Sequence, residues 1–337
     1  MSRVAVLAGG RSSEREVSLA SGESVVAGLV DAGHEPRLIE IDPEGVWRLD
    51  GTEVTIVPGR GLPGFDVAFP VVHGPWGEDG TLQGLLESLR VPYVGSGVHA
   101  SSLCIDKLLA KQRMAEVGVP QVGFVAVTRA TWDSDRSAIA AAVAELGSPV
   151  WVKPARLGSS VGISRVDSVG QLDEAVELAL RHDPRVIVEQ SSAGREIEVS
   201  VLEVTGQEGA DLVTSPPGEI TLPGAAEGEW YDYERKYSVG GMELVVPAEL
   251  PPADSKLIVE TVLRAFVAAG CSGYARVDCF VEPGKVLLNE INTSPGFTRT
   301  SVFGRLLEAG GWTYPDVLEA LVSTAVARHS ELDSYCF

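Results

Sequence analysis

Residues 274–292, YARVDCFVEPGKVLLNEIN, leave the chain few ways to fold. Two runs of alternating, strand-forming residues flank Glu-Pro-Gly-Lys, a turn signal, so the segment reads as an antiparallel hairpin. Centred on Gly284, the hairpin makes Asp278 and Glu290 face each other across the ladder. Period-two alternation puts Arg276 and Asp278 on one face, with Glu290 and Asn292 opposite them. The other face collects Ala275, Val277, Cys279, Val281, Leu287 and Ile291, a core face. Two facing carboxylates repel and destabilise a hairpin. A divalent cation between them removes that objection. Two carboxylates and an amide oxygen suit Mg²⁺, which takes few protein ligands and leaves room for phosphate oxygens. The competing reading is a solvated polar face on an edge hairpin, with Arg276 paired to Asp278.

A metal site with open positions belongs with an anion loop. The stretch KPARLGSSVG, Lys153 to Gly162, follows the apolar run SPVWV. Its lysine ends a strand, and the loop from Gly158 to Gly162 can fold over phosphates with backbone N–H groups. It is not a Walker A loop, because no Gly-Lys-Ser/Thr follows at the required spacing. Lys107, after CID, and Lys236, in YERKY, are further candidate cations. The chain has 27 basic and 47 acidic residues and a formal net charge of −20, so three lysines on one ligand would make a local positive pocket. Taken singly, each reads as an ordinary surface lysine.

That acidic balance argues against nucleic-acid and anionic-membrane partners. There is no apolar run of about 18 residues to span a membrane. The N-terminal apolar stretch is too short for a secretory core. Four cysteines without CxxC or zinc spacing fit a reduced, cytoplasmic protein with incidental thiols.

A length of 337 residues allows two or three domains. At the start, VAVLAGG, PRLIEID, DVAFPVVHG and VPYVG read as strands, with helices over SSEREVSLASGESVVAGLVDAG and around GTLQGLLESLR. Such alternation implies a parallel sheet covered by helices, over residues 1–100. A second unit, 101–190, opens with a helix over SLCIDKLLAKQRMAEVG. It continues through VGFVAV, RSAIAAAVAEL and PVWVKPA and closes with RVIVEQ. The third, 191–337, carries GREIEVSVLEV, the hairpin, a final helix over YPDVLEALVSTAVARH, and a long polar segment around 216–245. A segment of that length with aromatics and charges reads as a lid.

GSGVHA, Gly95 to Ala100, matches G-x-G-x-x-G/A between a strand and a helix. The acidic residue required about 20 positions on is missing, and a dinucleotide role is set aside. RSSEREVS and HGPWGEDG follow strands at one edge of the first domain, where parallel sheets bind ligands. Their candidates are Glu14, which also reads as a helix-capping acid, and His73. Glu78 and Asp79 read equally as helix-start acids.

Together these stretches resemble the D-alanine–D-alanine ligases of the ATP-grasp superfamily. The residues that carry the resemblance are GGRSSEREVSLASG, HGPWGEDGTLQGLLE, PYVGSGVHASSLCIDK, VKPARLGSSVGI, VEQSSAGREIEVSVL, WYDYERKY, ARVDCF and NEINTSPGFT. The resemblance covers essentially the whole chain. It implies a mixed α/β and α+β ATP-grasp fold of three domains: an N-terminal parallel-sheet domain, then central and C-terminal domains that clamp ATP. It also implies a reaction, two D-alanines joined through an acyl phosphate with ATP converted to ADP and phosphate. Two Mg²⁺ ions are implied, for which Mn²⁺ can stand in, and so is a homodimer.

By the same resemblance, Lys107, Lys153 and Lys236 bind phosphates. Glu189 and Glu196 contact adenine and ribose, and Trp230 packs on adenine. Asp278, Glu290 and Asn292 hold the metal ions. Glu14 anchors the first substrate's ammonium group, with His73 beside it. Arg276 and the Gly296 N–H stabilise the negative oxygen, and Ser301 contacts the second substrate's carboxylate. Ser159 and Tyr237 join Glu14 to the lid. The chain departs from the family pattern at Gly304, where a proline is usual, and at the bulky Pro75 and Trp76. These changes bear on the acceptor, so D-serine, D-lactate or a biosynthetic amino acid are alternatives to the second D-alanine. A nucleotide-binding regulatory module is the alternative of a different class. The intact set of Lys153, Arg276, Asp278, Glu290 and Asn292 argues against it.

Overall fold

The apolar runs near the N-terminus form a sheet whose middle is parallel. In it β1 (Arg3–Gly9) lies between β2 (Glu35–Ile41) and β5 (Val67–Pro70). Two short antiparallel strands, β3 (Trp47–Leu49) and β4 (Thr52–Glu53), extend the β2 edge. The expected strand at VPYVG is reduced to a single bridge between Ala68 and Tyr93. This computed structural model describes residues 1–158, 161–206, 209–221 and 242–335. Helices α1 (Arg15–Asp31) and α2 (Thr81–Leu89) follow β1 and β5, as the alternation predicts.

The single helix expected over residues 102–118 is two. Helix α3 (Val98–Ile105) stops at Asp106, which is extended, and α4 (Lys107–Glu116) starts after it. The reason is local. The Asp106 side chain accepts a hydrogen bond from the Leu109 N–H and caps the new helix. The same buried carboxylate pairs with Arg185 of the central unit.

The central unit holds a four-stranded antiparallel sheet in the order β6 (Phe124–Thr128), β9 (Arg185–Gln190), β7 (Val150–Pro154), β8 (Ser164–Val166). Helices α5 (Arg129–Ser134), α6 (Arg136–Glu145) and α7 (Leu172–Leu180) accompany it. Val127, Trp132, Val152, Val176 and Val188 form its own core.

The third sheet runs β13 (Glu243–Val245), β12 (Gly218–Thr221), β10 (Arg195–Gly206), β14 (Tyr274–Glu282), β15 (Lys285–Asn292), with β11 (Gly209–Thr214) also on β10. Helix α8 (Pro252–Ala268), which the sequence reading passed over, packs its Ile258, Val262, Ala265 and Phe266 under this sheet. Two more helices close the chain, α9 (Val302–Ala309) and α10 (Tyr314–Ser334). They bridge their own sheet and the first one, with Leu202 of β10 and Tyr274 of β14 in the same cluster. Phe303, Leu307, Leu318 and Leu321 join Val4, Val6, Val67 and Phe69 of the first sheet in one core. Among the described residues no helix is long and apolar enough to cross a membrane.

The hairpin forms as expected, with one difference. Its turn is tighter than a centre on Gly284 allows: Glu282 pairs with Lys285 and Cys279 with Leu288. A bulge between Asp278 and Cys279 then shifts the register by one. Beyond it Asp278 faces Glu290 and Arg276 faces Asn292. The core face therefore takes Val286 and Leu288, not Leu287, with Ile291 beyond the bulge. The expected register carried to the turn would set Asn289 opposite buried Cys279. The bulge keeps that amide out of the core.

Candidate active site

Three sheets send charged side chains into one region. In the central unit, Trp151 of β7 pairs with Glu189 of β9, so Lys153 and Glu189 are diagonal neighbours on one face. The buried Lys153 Nζ donates to Glu189 Oε2 at 2.6 Å. A second lysine, Lys111 of α4, lies 3.1 Å from Glu189 Oε1 and is buried as well. Burial alone would push the Glu189 carboxyl up. The two ammonium groups outweigh it and hold its pKa down at about 2. Burial likewise works against the Lys153 ammonium, yet Glu189 leaves its pKa raised. Both Glu189 oxygens thus face lysines, and the carboxylate is their counter-ion. Glu196 lies half-buried on β10, opposite Phe280.

The anion loop is rooted from two sides. Arg156 grips Asp183 through Nε at 2.8 Å and through a terminal nitrogen at 3.0 Å. Lys107, the first residue of α4, donates from Nζ to the Leu157 carbonyl at 2.8 Å. Lys107 Nζ also reaches within 3.8 Å of Glu290 Oε2. This contact links the lysines to the hairpin.

On the hairpin, Glu198 of β10, Asp278 of β14 and Glu290 of β15 occupy one row across three strands. The Arg276 guanidinium sits in that row. It donates to both oxygens of Asp278, at 2.8 and 2.7 Å, and lies 3.0 Å from Glu198 Oε2. Burial opposes its charge, but Asp278 and Glu198 raise its pKa well above the ordinary value. The pairing of Arg276 with Asp278 is the one the edge-hairpin alternative invoked. It does not remove the facing of Asp278 and Glu290. Asn292 turns its Oδ1 to the Ser294 N–H at 3.1 Å.

Among the described residues no three His, Cys, Asp or Glu side chains form a metal cluster. The carboxylates of Asp278 and Glu290 with the Asn292 amide are an all-oxygen partial set, and they fit a hard cation that completes its shell with phosphate and water. Asp278 is buried and Glu290 half-exposed, so the set opens toward Lys107.

The residues expected at the first substrate, Glu14 and His73, lie just after the ends of β1 and β5. A Cβ on Gly74, whose φ is +76°, would come within 2.7 Å of Glu14 Oε2, and one on Gly158 within 3.8 Å. Two glycines therefore leave room for the Glu14 carboxylate between the first domain and the anion loop. His73 is buried. Its Nδ1 is 3.0 Å from the Ser294 carbonyl, which can only accept, so Nδ1 carries a proton. In a neutral ring Nε2 then accepts from Ser21 Oγ at 3.1 Å, and Ser21 Oγ accepts from the Phe297 N–H at 3.2 Å. This relay fixes the 294–297 segment, which contains Gly296, against the first domain. A Cβ on Gly296 would lie 3.0 Å from Ser301 Oγ, so these two residues are neighbours. Ser301 Oγ accepts from the Thr298 N–H at 3.1 Å at the start of α9.

The structure brings together Glu14, His73, Lys107, Lys153, Glu189, Glu196, Arg276, Asp278, Glu290, Asn292, Gly296 and Ser301. Ser159, Trp230, Lys236 and Tyr237, with the middle of the expected lid, lie outside the described residues. Sequence reasoning missed Lys111, Asp183 and Glu198. Lys111 carried one signal, its position one helical turn after Lys107.

Comparison with known proteins gives matches along nearly the whole chain. Family models described as D-ala D-ala ligase N-terminus and C-terminus match residues 3–58 and 57–96, and 113–323. A D-alanine–D-alanine ligase of Deinococcus radiodurans is 42% identical over 343 residues, covering 96% of this chain and 98% of its own. One from Mycolicibacterium smegmatis is 42% identical over 371 residues, covering 98% and 97%. The solved D-alanine–D-alanine ligase of Coxiella burnetii superposes with a TM-score of 0.85 at 33% identity, over 98% of this chain and 95% of that one. The VanG D-Ala:D-Ser ligase of Enterococcus faecalis gives 0.84 at 31%, over 96% and 99%.

Proposed function

The chain belongs to the D-alanine–D-alanine ligase family, and from that premise we propose how its residues divide the work. The enzyme is an ATP-dependent ligase. It joins two D-alanines through D-alanyl phosphate and yields D-alanyl-D-alanine, ADP and phosphate for peptidoglycan precursor synthesis. A carboxylate is a poor acyl donor, because oxide would have to leave. Its attack on the γ-phosphorus turns that oxygen into part of a phosphate leaving group. The first substrate's carboxylate and the triphosphate are both anions, and Lys107 and Lys153 offset their repulsion. Lys236 adds a third cation.

Asp278, Glu290 and Asn292 would hold the metal, two Mg²⁺ ions with Mn²⁺ able to substitute. Bound there, the metal neutralises phosphate charge. Glu14 anchors the ammonium of the first D-alanine beside His73. When the second amine attacks the acyl carbon, Arg276 and the Gly296 N–H hold the tetrahedral oxyanion. Ser301 binds the second carboxylate. Glu189 and Glu196 contact adenine and ribose, and Trp230 packs on adenine. Ser159 and Tyr237 connect Glu14 to a lid within 216–245 that keeps water from the acyl phosphate. Three units divided near residues 100 and 190 carry these parts. We further propose a cytoplasmic homodimer, which light scattering of the purified protein checks.

One observation carries this assignment: Lys107 links the lysine-lined anion loop to the carboxylate pair of the hairpin. Phosphate release with ATP, Mg²⁺ and a panel of D- and L-amino acids and D-hydroxy acids tests it. The expected product has the mass of D-alanyl-D-alanine. A dominant mixed dipeptide or ester would overturn the choice of second substrate. No ATP turnover on any acid would overturn the ligase assignment.

A further inference from the structure

We propose that Lys111 is a positioning residue for ATP: it takes one oxygen of Glu189, keeps that carboxylate from neutralising Lys153, and leaves the buried triad with a net positive charge toward the polyphosphate. The inference rests on the phosphate-binding role of Lys153 proposed above.

Helix α4 presents Lys107 and Lys111 one turn apart on one face. Lys107 stands at the opening, in contact with the Leu157 carbonyl and near Glu290. Lys111 stands behind it, with its ammonium 3.1 Å from Glu189 Oε1 and 5.8 Å from the centre of the Phe124 ring. Its side chain is the deepest of these lysines, 3% exposed against 8% for Lys153 and 13% for Lys107, and its ammonium is already committed to Glu189. Its effect on ATP must therefore pass through Glu189.

The charges decide what that effect is. Lys111 and Lys153 carry two positive charges and Glu189 one negative, all three buried. Without Lys111, Glu189 has Lys153 alone among the described residues, and the pair is neutral. Removing Lys111 does not orphan a buried anion, because Lys153 remains at 2.6 Å. A folded variant with a neutralised phosphate lysine is therefore the expected result, and not the collapse that follows when a buried pair is broken. A second lysine on the same carboxylate helps to hold it ionised, and it is more charge than neutrality requires. It has a use if the pocket must stay cationic after its acid is satisfied.

The test compares Lys111→Met, Lys111→Arg and the double variant Lys111→Met/Glu189→Gln. ATP affinity is read by calorimetry without D-alanine, and KM for each substrate and kcat by phosphate release. Lys111→Met should weaken ATP binding about tenfold or more, the scale of one unit charge acting at short range in a partly screened site. The KM for D-alanine should change less than about twofold, since no interaction with it is lost. Lys111→Arg, which keeps the charge, should stay within about threefold of the parent. The double variant restores one net positive charge and should recover most of the lost ATP affinity.

ATP binding by Lys111→Met equal to the parent's overturns the inference. So does a double variant weaker than Lys111→Met, which would show that packing and not charge balance was lost. If Lys111→Met does not fold, the double variant and Lys111→Arg still decide: recovery in both supports the charge account, and weak binding in both overturns it. The parent protein separates this from the ligase assignment. Failure of the parent to turn over ATP on D-alanine sinks that assignment. Normal parent turnover with unchanged ATP affinity in Lys111→Met sinks only the role of Lys111.

Discussion

Glu189 is ionised inside the protein because two ammonium groups meet it there. Its folded pKa of about 2 lies below the ordinary 4.5 of a glutamate. Its contribution to stability is therefore fully present above about pH 4.5 and is lost as pH falls toward 2. The urea midpoint of the parent should fall relative to that of Glu189→Gln across this window. A gap that stays constant from pH 5 to 2.5 would show that the carboxylate is not held this way. Glu290 has a different task. Glu290→Gln keeps the side chain's size and removes its charge opposite Asp278, and turnover should drop by about a hundredfold or more, as when a major electrostatic stabiliser is lost. Near-normal rates at saturating Mg²⁺ would remove Glu290 from the metal set. Residues of this kind were legible because motif and chemistry coincide: a lysine ending a strand, acids opposed across a hairpin. Asp183 and Glu198 were not, because each acts on another side chain and leaves no pattern of its own, and Lys111 left only its spacing of one helical turn from Lys107.

At the scale of elements, type was easier to read than limits. The three sheets follow from runs of apolar residues, and the hairpin register near the site follows from its acids. The break at Asp106 needed knowledge of Arg185, its partner from a distant strand. The bulge needed the core to show that Asn289 could not face Cys279. That bulge has a checkable consequence. Deleting Asn289 removes the extra residue and lets one register run from Glu282–Lys285 to Arg276–Asn292. The carboxylates still face each other, so the deletion variant should fold, with a melting point within about 3 °C of the parent, roughly a 2 kcal/mol change in a chain of this size. Bulges also add twist and re-aim side chains beside sites. Turnover should therefore fall about tenfold, the worth of a small misplacement of one charged group. Full activity would show that the bulge only absorbs a residue, and loss of the fold would show that the ladder does not close without it.

At the scale of the molecule, the chain returns to its beginning. Helix α10 packs on α1 so closely that a Cβ on Gly28 would lie 2.5 Å from Leu318 Cδ1 and from Tyr314 Cε1. Leu318 and Leu321 share a core with Val4, Val6 and Phe69, while the central sheet keeps its core to itself. His73 and Ser21 reinforce the same joint with hydrogen bonds to the 294–297 segment. The residues assigned to the first substrate and the oxyanion, Glu14 and Gly296, thus sit on parts that fold as one. Lys153 sits on a sheet with a separate core, while α4, which carries Lys107 and Lys111, packs Met114 into the core of the third sheet. Leu318→Ala should therefore cost about 2–5 kcal/mol, the range for a buried leucine that leaves a cavity. The damage should appear far away in sequence. In native-state hydrogen exchange, amides of β1 and β5 should lose protection together with those of α10, because one cooperative unit opens. Amides of β6, β7 and β9 should keep theirs. Loss confined to residues 314–334 would mean that the first sheet stands without the last helix, and the shared core would then be a contact between two independent units.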